Sequence, residues 1–179
     1  MKKTIALFIV IATAALLFAG FAQPAAEKKG DADIDIAILG KTWQEIDLGA
    51  DATAYKHAYM TSDPGEATVF LTFVKHYEKR EADLAADLEK NVVNYTEQTL
   101  PVSMKEVNIS DIEYIEIDGF PAARFTVVGN MGGAGDFKAL TTFLATEKGI
   151  YCLQTQSLFD IYPQFESIFD ELQESLRVS

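Results

Sequence analysis

The sequence predicts an α+β fold, a mainly antiparallel β-sheet flanked by a central helix and a C-terminal helix. Three observations carry that prediction. Short alternating, aromatic-rich segments recur between tight turns from residue 42 onward. Between residues 79 and 100 the apolar period changes from two to that of a helix, and it changes again over residues 158–176.

In chain order, residues 1–22 read as a signal peptide. Lys2 and Lys3 give a positive start, Thr4 to Phe18 is almost unbroken apolar sequence, and Gly20-Phe21-Ala22 offers a small-x-small cleavage site. The apolar core is shorter than the ~20 residues a membrane span needs. The expectation is an exported chain, periplasmic or extracellular, with no stable membrane anchor after cleavage. Residues 23–41 read as a flexible tether, small and charged without apolar periodicity. Asp31, Asp33 and Asp35 alternate as at the start of a calcium loop. Ile36 stands where that loop needs Gly and Thr42 where it needs Glu, so the trio reads as solvated acid. Residues 42–179 are expected to form one domain.

Within it, residues 43–48 suggest a short strand, and the alternation of residues 54–61 a longer one. Ser62-Asp63-Pro64-Gly65 is turn chemistry, and residues 68–77 complete a hairpin. Leu84, Leu88, Val92 and Tyr95 then recur at helical spacing, with Asp83, Asp87 and Glu89 on the outer positions. Pro101 is expected to stop that helix. Residues 104–117 read as extended, Asp118-Gly119 as a hairpin turn, and residues 120–128 as a strand. Gly129 to Asp136 reads as a mobile loop. Residues 137–146 and 150–156 read as strands joined at Lys148-Gly149. Such short connections require antiparallel pairing. Leu158, Ile161, Phe165, Phe169, Leu172 and Leu176 mark one closing helix over 158–176.

The formal net charge is −12, and losing Lys2 and Lys3 with residues 1–22 makes it −14. An acidic chain of this kind repels phosphate backbones, which excludes nucleic acid as a partner class. The single cysteine, Cys152, leaves no intramolecular disulfide and reads as a small buried strand residue. His57 and His76 lie on the two strands of the first hairpin, but a zinc site needs three or four ligands and no Cys or His completes one. The Gly129–Gly135 loop is glycine-rich, yet a strand follows it where a phosphate loop needs a helix N-terminus. Glu113 and Glu116 are an odd number of residues apart, so a regular strand sends them to opposite faces, which argues against a glycosidase pair. No catalytic, cofactor-binding or metal-binding residue is assigned from the sequence, and no cofactor.

The segments Ile117-Asp118-Gly119-Phe120-Pro121-Ala122-Ala123-Arg124-Phe125 and Gly149-Ile150-Tyr151-Cys152-Leu153, with the closing Phe165-Glu166-Ser167-Ile168-Phe169 helix, carry a resemblance. In element order over residues 40–178 the chain resembles the PsbP-like superfamily. That resemblance implies an α/β/α sandwich in which the last helix packs across the sheet, and an accessory or adaptor role without a shared catalytic constellation. The function expected is therefore a non-enzymatic binding or accessory protein of the cell envelope, its partner an envelope protein or complex. A carrier of a small apolar ligand is the alternative, motivated by Tyr55, Tyr59, Phe70, Phe73, Phe125, Phe137 and Phe143 on strands. A hydrolase with an unrecognised site is the third reading.

Overall fold

The computed structural model describes residues 28–30, 34–37, 44–45, 55–61 and 70–179; residues 1–22, expected as a signal peptide, and 62–65, expected as a turn, lie outside them. Two sheets are present among the described residues. The larger has the order β3 (Gln44–Glu45), β4 (Tyr55–Thr61), β5 (Phe70–Tyr77), β10 (Gly149–Leu158), β9 (Asp136–Thr146), β8 (Phe120–Asn130), with β6 (Lys105–Ile109) and β7 (Glu113–Ile117) both on the outer side of β8. Its pairings are all antiparallel. The smaller sheet joins β1 (Lys28–Gly30), β2 (Ile34–Ala37) and β11 (Arg177–Val178).

Period-two alternation divides the interior into two cores. Ala122, Leu144, Tyr151 and Leu153 face one side, and there they meet Phe165, Phe169, Leu172 and Leu176 near the C-terminus. Their sequence neighbours Ala123, Phe143, Ile150 and Cys152 face the other side, against Leu88, Val92, Tyr95 and Leu100. The central helix α1 (Leu84–Asn94) starts five residues later than the periodicity predicts, because Asp83 caps it, accepting from the Ala85 and Ala86 N–H groups. Asp87, expected on the solvated face, is fully buried; its carboxylate accepts the Arg80 N–H at 3.0 Å and the Asn91 amide at 3.3 Å.

Pro101 does not end the helix. A π-turn over Tyr95–Thr99 widens it, with the Leu100 N–H donating to the Tyr95 carbonyl, and a last turn α2 (Leu100–Ser103) follows. Pro101 thereby sits in the first turn of α2, where its missing N–H costs nothing. The Thr96 hydroxyl donates to the Val92 and Val93 carbonyls, and that of Thr99 donates to Asn94, supplying donors to carbonyls beside the widened turn.

The closing segment also departs from the expected single helix. β10 continues to Leu158, opposite Phe137, and the Phe159 N–H still donates to the Asp136 carbonyl. A 3₁₀ turn, Tyr162–Gln164, follows, and helix α3 spans only Glu166–Glu174. A helix begun at Leu158 would hold Pro163 in its interior, losing a hydrogen bond and pressing the ring on the Phe159 carbonyl.

Three further differences have physical reasons. Residues 104–117 form two strands, β6 and β7, separated at residues 110–112, and within β6 the register shifts where Glu106 takes φ 52°. The Gly129–Asp136 stretch is largely paired: Asn130 lies opposite Asp136, and the Met131 N–H donates to Gly135 across a short 3₁₀ turn. Within residues 23–41, expected as a tether, β1 and β2 pair with each other and β2 pairs with β11. Ile34 is 2% exposed and joins the α3-side core, while its neighbour Asp35 is half-buried; Asp31 and Asp33 lie outside the described residues.

Candidate functional site

The segment Gln154-Thr155-Gln156-Ser157 is polar yet buried throughout. Alternation sends Thr155 and Ser157 to the α3 side and Gln154 and Gln156 to the α1 side. On the α3 side the Gln173 amide donates to the Leu140 carbonyl at 3.0 Å, the Leu153 carbonyl at 3.3 Å and the Thr155 hydroxyl at 3.3 Å. Gln173 thus fastens α3 to the two central strands.

On the α1 side the Gln154 amide donates to the Tyr95 hydroxyl at 3.2 Å. Thr141 lies directly opposite Gln154, and Gln156, two residues further along β10, lies opposite Ala139. Thr141 is 0% and Gln156 3% exposed, and neither the Thr141 hydroxyl nor the Gln156 amide nitrogen has a hydrogen-bond partner. Each such buried group left unmade costs about 1–3 kcal/mol, so two on one face, diagonal to each other across β9 and β10, form the candidate site. Its walls are apolar: Phe125 opposite Thr141, and Val127 opposite Ala139.

Charged groups collect instead along the rim of α3. Lys138 pairs with Glu166 at 2.9 Å and lies 4.2 Å from the centre of the Tyr162 ring. Arg124 donates to the Thr142 hydroxyl at 3.0 Å and to the Gln173 carbonyl, near the helix C-terminus, at 3.3 Å. Burial, with the charges of Asp170 and Glu166, holds the Tyr162 phenol well above its ordinary range, so it stays protonated. The Asp170 carboxyl is raised by burial and by Glu166 and Glu174, against the opposing pull of Arg124 and Lys138. This arrangement anchors a helix.

The residues singled out from the sequence are dispersed. His57 lies opposite Val74 and His76 opposite Tyr151, so the two histidines are not cross-strand partners. Among the described residues no group of three or more His, Cys, Asp or Glu could hold a metal ion. Cys152 is 2% exposed in the α1-side core. Glu113 and Glu116 are both exposed on β7, opposite Arg124 and Pro121. Of the strand aromatics, Tyr59, Phe125 and Phe143 are buried and Phe137 is half-buried, while the side chains of Tyr55, Phe70 and Phe73 lie outside the described residues. Thr141, Gln154 and Gln156 went unremarked in the sequence; four consecutive polar residues continuing the apolar strand Ile150–Leu153 were the available signal.

This architecture is the PsbP-like fold. The structure is similar to cyanobacterial PsbP (CyanoP) from Synechocystis sp. PCC 6803, with a TM-score of 0.61 at 14% identity over 90% of this chain and 95% of that one. It is similar to LpqN, involved in cell envelope biogenesis of Mycobacterium tuberculosis, with a TM-score of 0.56 at 12% identity over 90% of this chain and 99% of that one. A Pseudomonas aeruginosa protein of unknown function, PA94, matches with a TM-score of 0.52 at 12% identity over 85% and 96%. No protein-family model and no curated protein matches the sequence. At such identities the likeness defines a fold and leaves function to the site. No helix among the described residues is long and apolar enough to cross a membrane.

Proposed function

We propose that this chain is an exported, non-enzymatic binding or accessory protein of the cell envelope, with an envelope protein or complex as its partner. The observation that carries the reading is the fold shared over 90% of the chain with LpqN, a protein involved in cell envelope biogenesis. The signal-like segment of residues 1–22 and the acidic charge agree with it. Val102, 76% exposed, and Tyr114, 57% exposed, are the large apolar side chains a protein partner would cover. Carriage of an apolar body among the strand aromatics is disfavoured, because those rings fill their own space. Tyr95 lies 5.3 Å from Phe143 and 6.2 Å from Phe125, and Phe125 and Phe143 stack at 6.1 Å.

The test places a photo-crosslinking residue at position 102 or 114 in cells of the source organism, with exposed Glu147 as control, and follows with native mass spectrometry of the isolated protein. One discrete protein adduct at 102 or 114 and none at 147 is expected, on a chain that has lost residues 1–22. A chain that stays cytoplasmic, or a bare monomer at all three positions, overturns the reading.

A further inference from the structure

Two asparagines open the triplet Asn-x-Ser/Thr: Asn94-Tyr95-Thr96, where α1 passes into the π-turn, and Asn108-Ile109-Ser110, on the edge strand β6. In an exported chain that triplet is an acceptor for N-linked sugars, which need a surface position. We infer that Asn108 is a glycosylation site, taking an oligosaccharide from a polyprenyl-pyrophosphate donor through an oligosaccharyltransferase of the envelope. The inference rests on the export proposed above.

Geometry separates the two triplets. The transferase grips the acceptor amide together with the hydroxyl two residues on, so the two side chains must face one way. In an extended chain residues i and i+2 share a face. Val107 and Ile109 are half-buried against the α1-side core, while Asn108 and Ser110 are exposed. In a helix residues i and i+2 do not face each other. There the Thr96 hydroxyl is also engaged, donating to the Val92 and Val93 carbonyls. Among the described residues β6 pairs only with β8, and its register shifts between Lys105 and Asn108. A sugar on Asn108 therefore extends from the sheet edge into solvent and displaces no core side chain. It also covers a row of backbone groups that would otherwise offer a template to another chain's strand.

In the transfer the Asn108 Nδ2 bonds to the anomeric carbon of the first sugar, and the bond from that carbon to the donor's phosphate oxygen breaks. The lipid pyrophosphate leaves with the electron pair, and one amide proton passes to solvent. In the folded chain the Ser110 hydroxyl accepts the Thr126 N–H at 2.9 Å and donates to the Asp111 carbonyl at 3.1 Å. The transferase needs that hydroxyl free, so transfer precedes the closing of β6 onto β8, while the chain is being exported.

The test isolates the wild-type chain from the envelope of the source organism and maps it by tryptic mass spectrometry. Trypsin cuts after Lys90, Lys105 and Arg124, so Asn94 and Asn108 fall in separate peptides. The 106–124 peptide is expected to gain the mass of a chain of sugars, with sugar oxonium ions on fragmentation, from a protein that has lost residues 1–22. Asn108→Gln and Ser110→Ala should abolish the gain. Ser110→Thr, which keeps the hydroxyl, and Asn94→Gln should retain it. A protein without residues 1–22 whose 106–124 peptide is bare overturns the site and leaves the export reading standing. A bare protein that keeps residues 1–22 overturns both. Sugar on Asn94 alone, or a gain that survives Asn108→Gln, overturns the assignment of the acceptor. The peptide map is read on wild type, so it decides even where a variant fails to fold.

Discussion

Phe169 is fully enclosed, its ring tilted against Tyr162 at 5.3 Å and seated on the sheet beside Leu144 and Leu153. Truncation to Ala leaves a cavity that the central strands cannot collapse into. Phe169→Ala is expected to destabilise by about 3–5 kcal/mol in denaturant titration, and a loss under about 1 kcal/mol would remove α3 from the core. This residue was legible in the sequence because helical spacing alone marks the buried stripe. Thr141 and Gln156 were not, because a polar residue on a strand ordinarily marks the wet face, and only the helix lying over it reverses that. Asp170 gives the pH prediction at this scale. Its carboxyl is harder to ionise in the folded chain, mainly through burial and then through Glu166 and Glu174. The folded state therefore binds more protons, and stability falls as pH rises from the ordinary aspartate value, ~3.9, to the raised one. Asp170→Asn should melt higher than wild type at neutral pH, and the advantage should vanish below the ordinary value. An equal gain at every pH would mean that packing, not charge, is responsible.

Among the elements, the β7–β8 hairpin was the most legible. Asp118 and Gly119 take φ 52° and 83°, the pair of positive angles that a type I′ turn demands, and Ile117 lies opposite Phe120 as that turn requires. A Cβ at Gly119 would meet nothing within 4 Å, so Gly119→Ala isolates the backbone term from any clash. It is expected to cost about 1–2 kcal/mol, read by thermal melting against Gly133→Ala, where the added Cβ likewise meets nothing and no positive φ is required. Equal melting of the two variants would contradict the assigned turn. The helices were legible in existence and face, but not in extent. At the central helix a five-residue turn absorbs Pro101; at the closing helix Pro163 and a strand carried on to Leu158 delay the start. In both cases periodicity located most of the buried apolar side chains, though not buried Asp87, while hydrogen bonding, which periodicity does not report, set the boundary.

Across the whole molecule, one of the first described strands meets the last. β2 pairs with β11, with Ile34 opposite Val178 and Asp35 opposite Arg177, and the Asp118 carboxylate accepts the Val178 N–H at 2.9 Å. One carboxylate in a hairpin turn thus ties the C-terminal strand, and through it the N-terminal strands, to the face that α3 covers. Tether chemistry hid this arrangement, because Lys28–Gly30 and Ile34–Ala37 are too short to announce themselves, and their hairpin is completed by β11, a strand far away in sequence. Removing residues 177–179 leaves Leu176 and the α3 core in place but takes away one edge of β2 and the acceptor contact at Asp118. Hydrogen exchange should then show residues 34–37 losing protection while β8, β9 and β10 keep theirs, with a stability loss of about 1–3 kcal/mol from the few hydrogen bonds removed. If residues 34–37 exchange at the same rate in the shortened chain, β11 does not hold them. If β8 to β10 lose protection as well, the small sheet is part of the main cooperative unit instead of a clasp added to it.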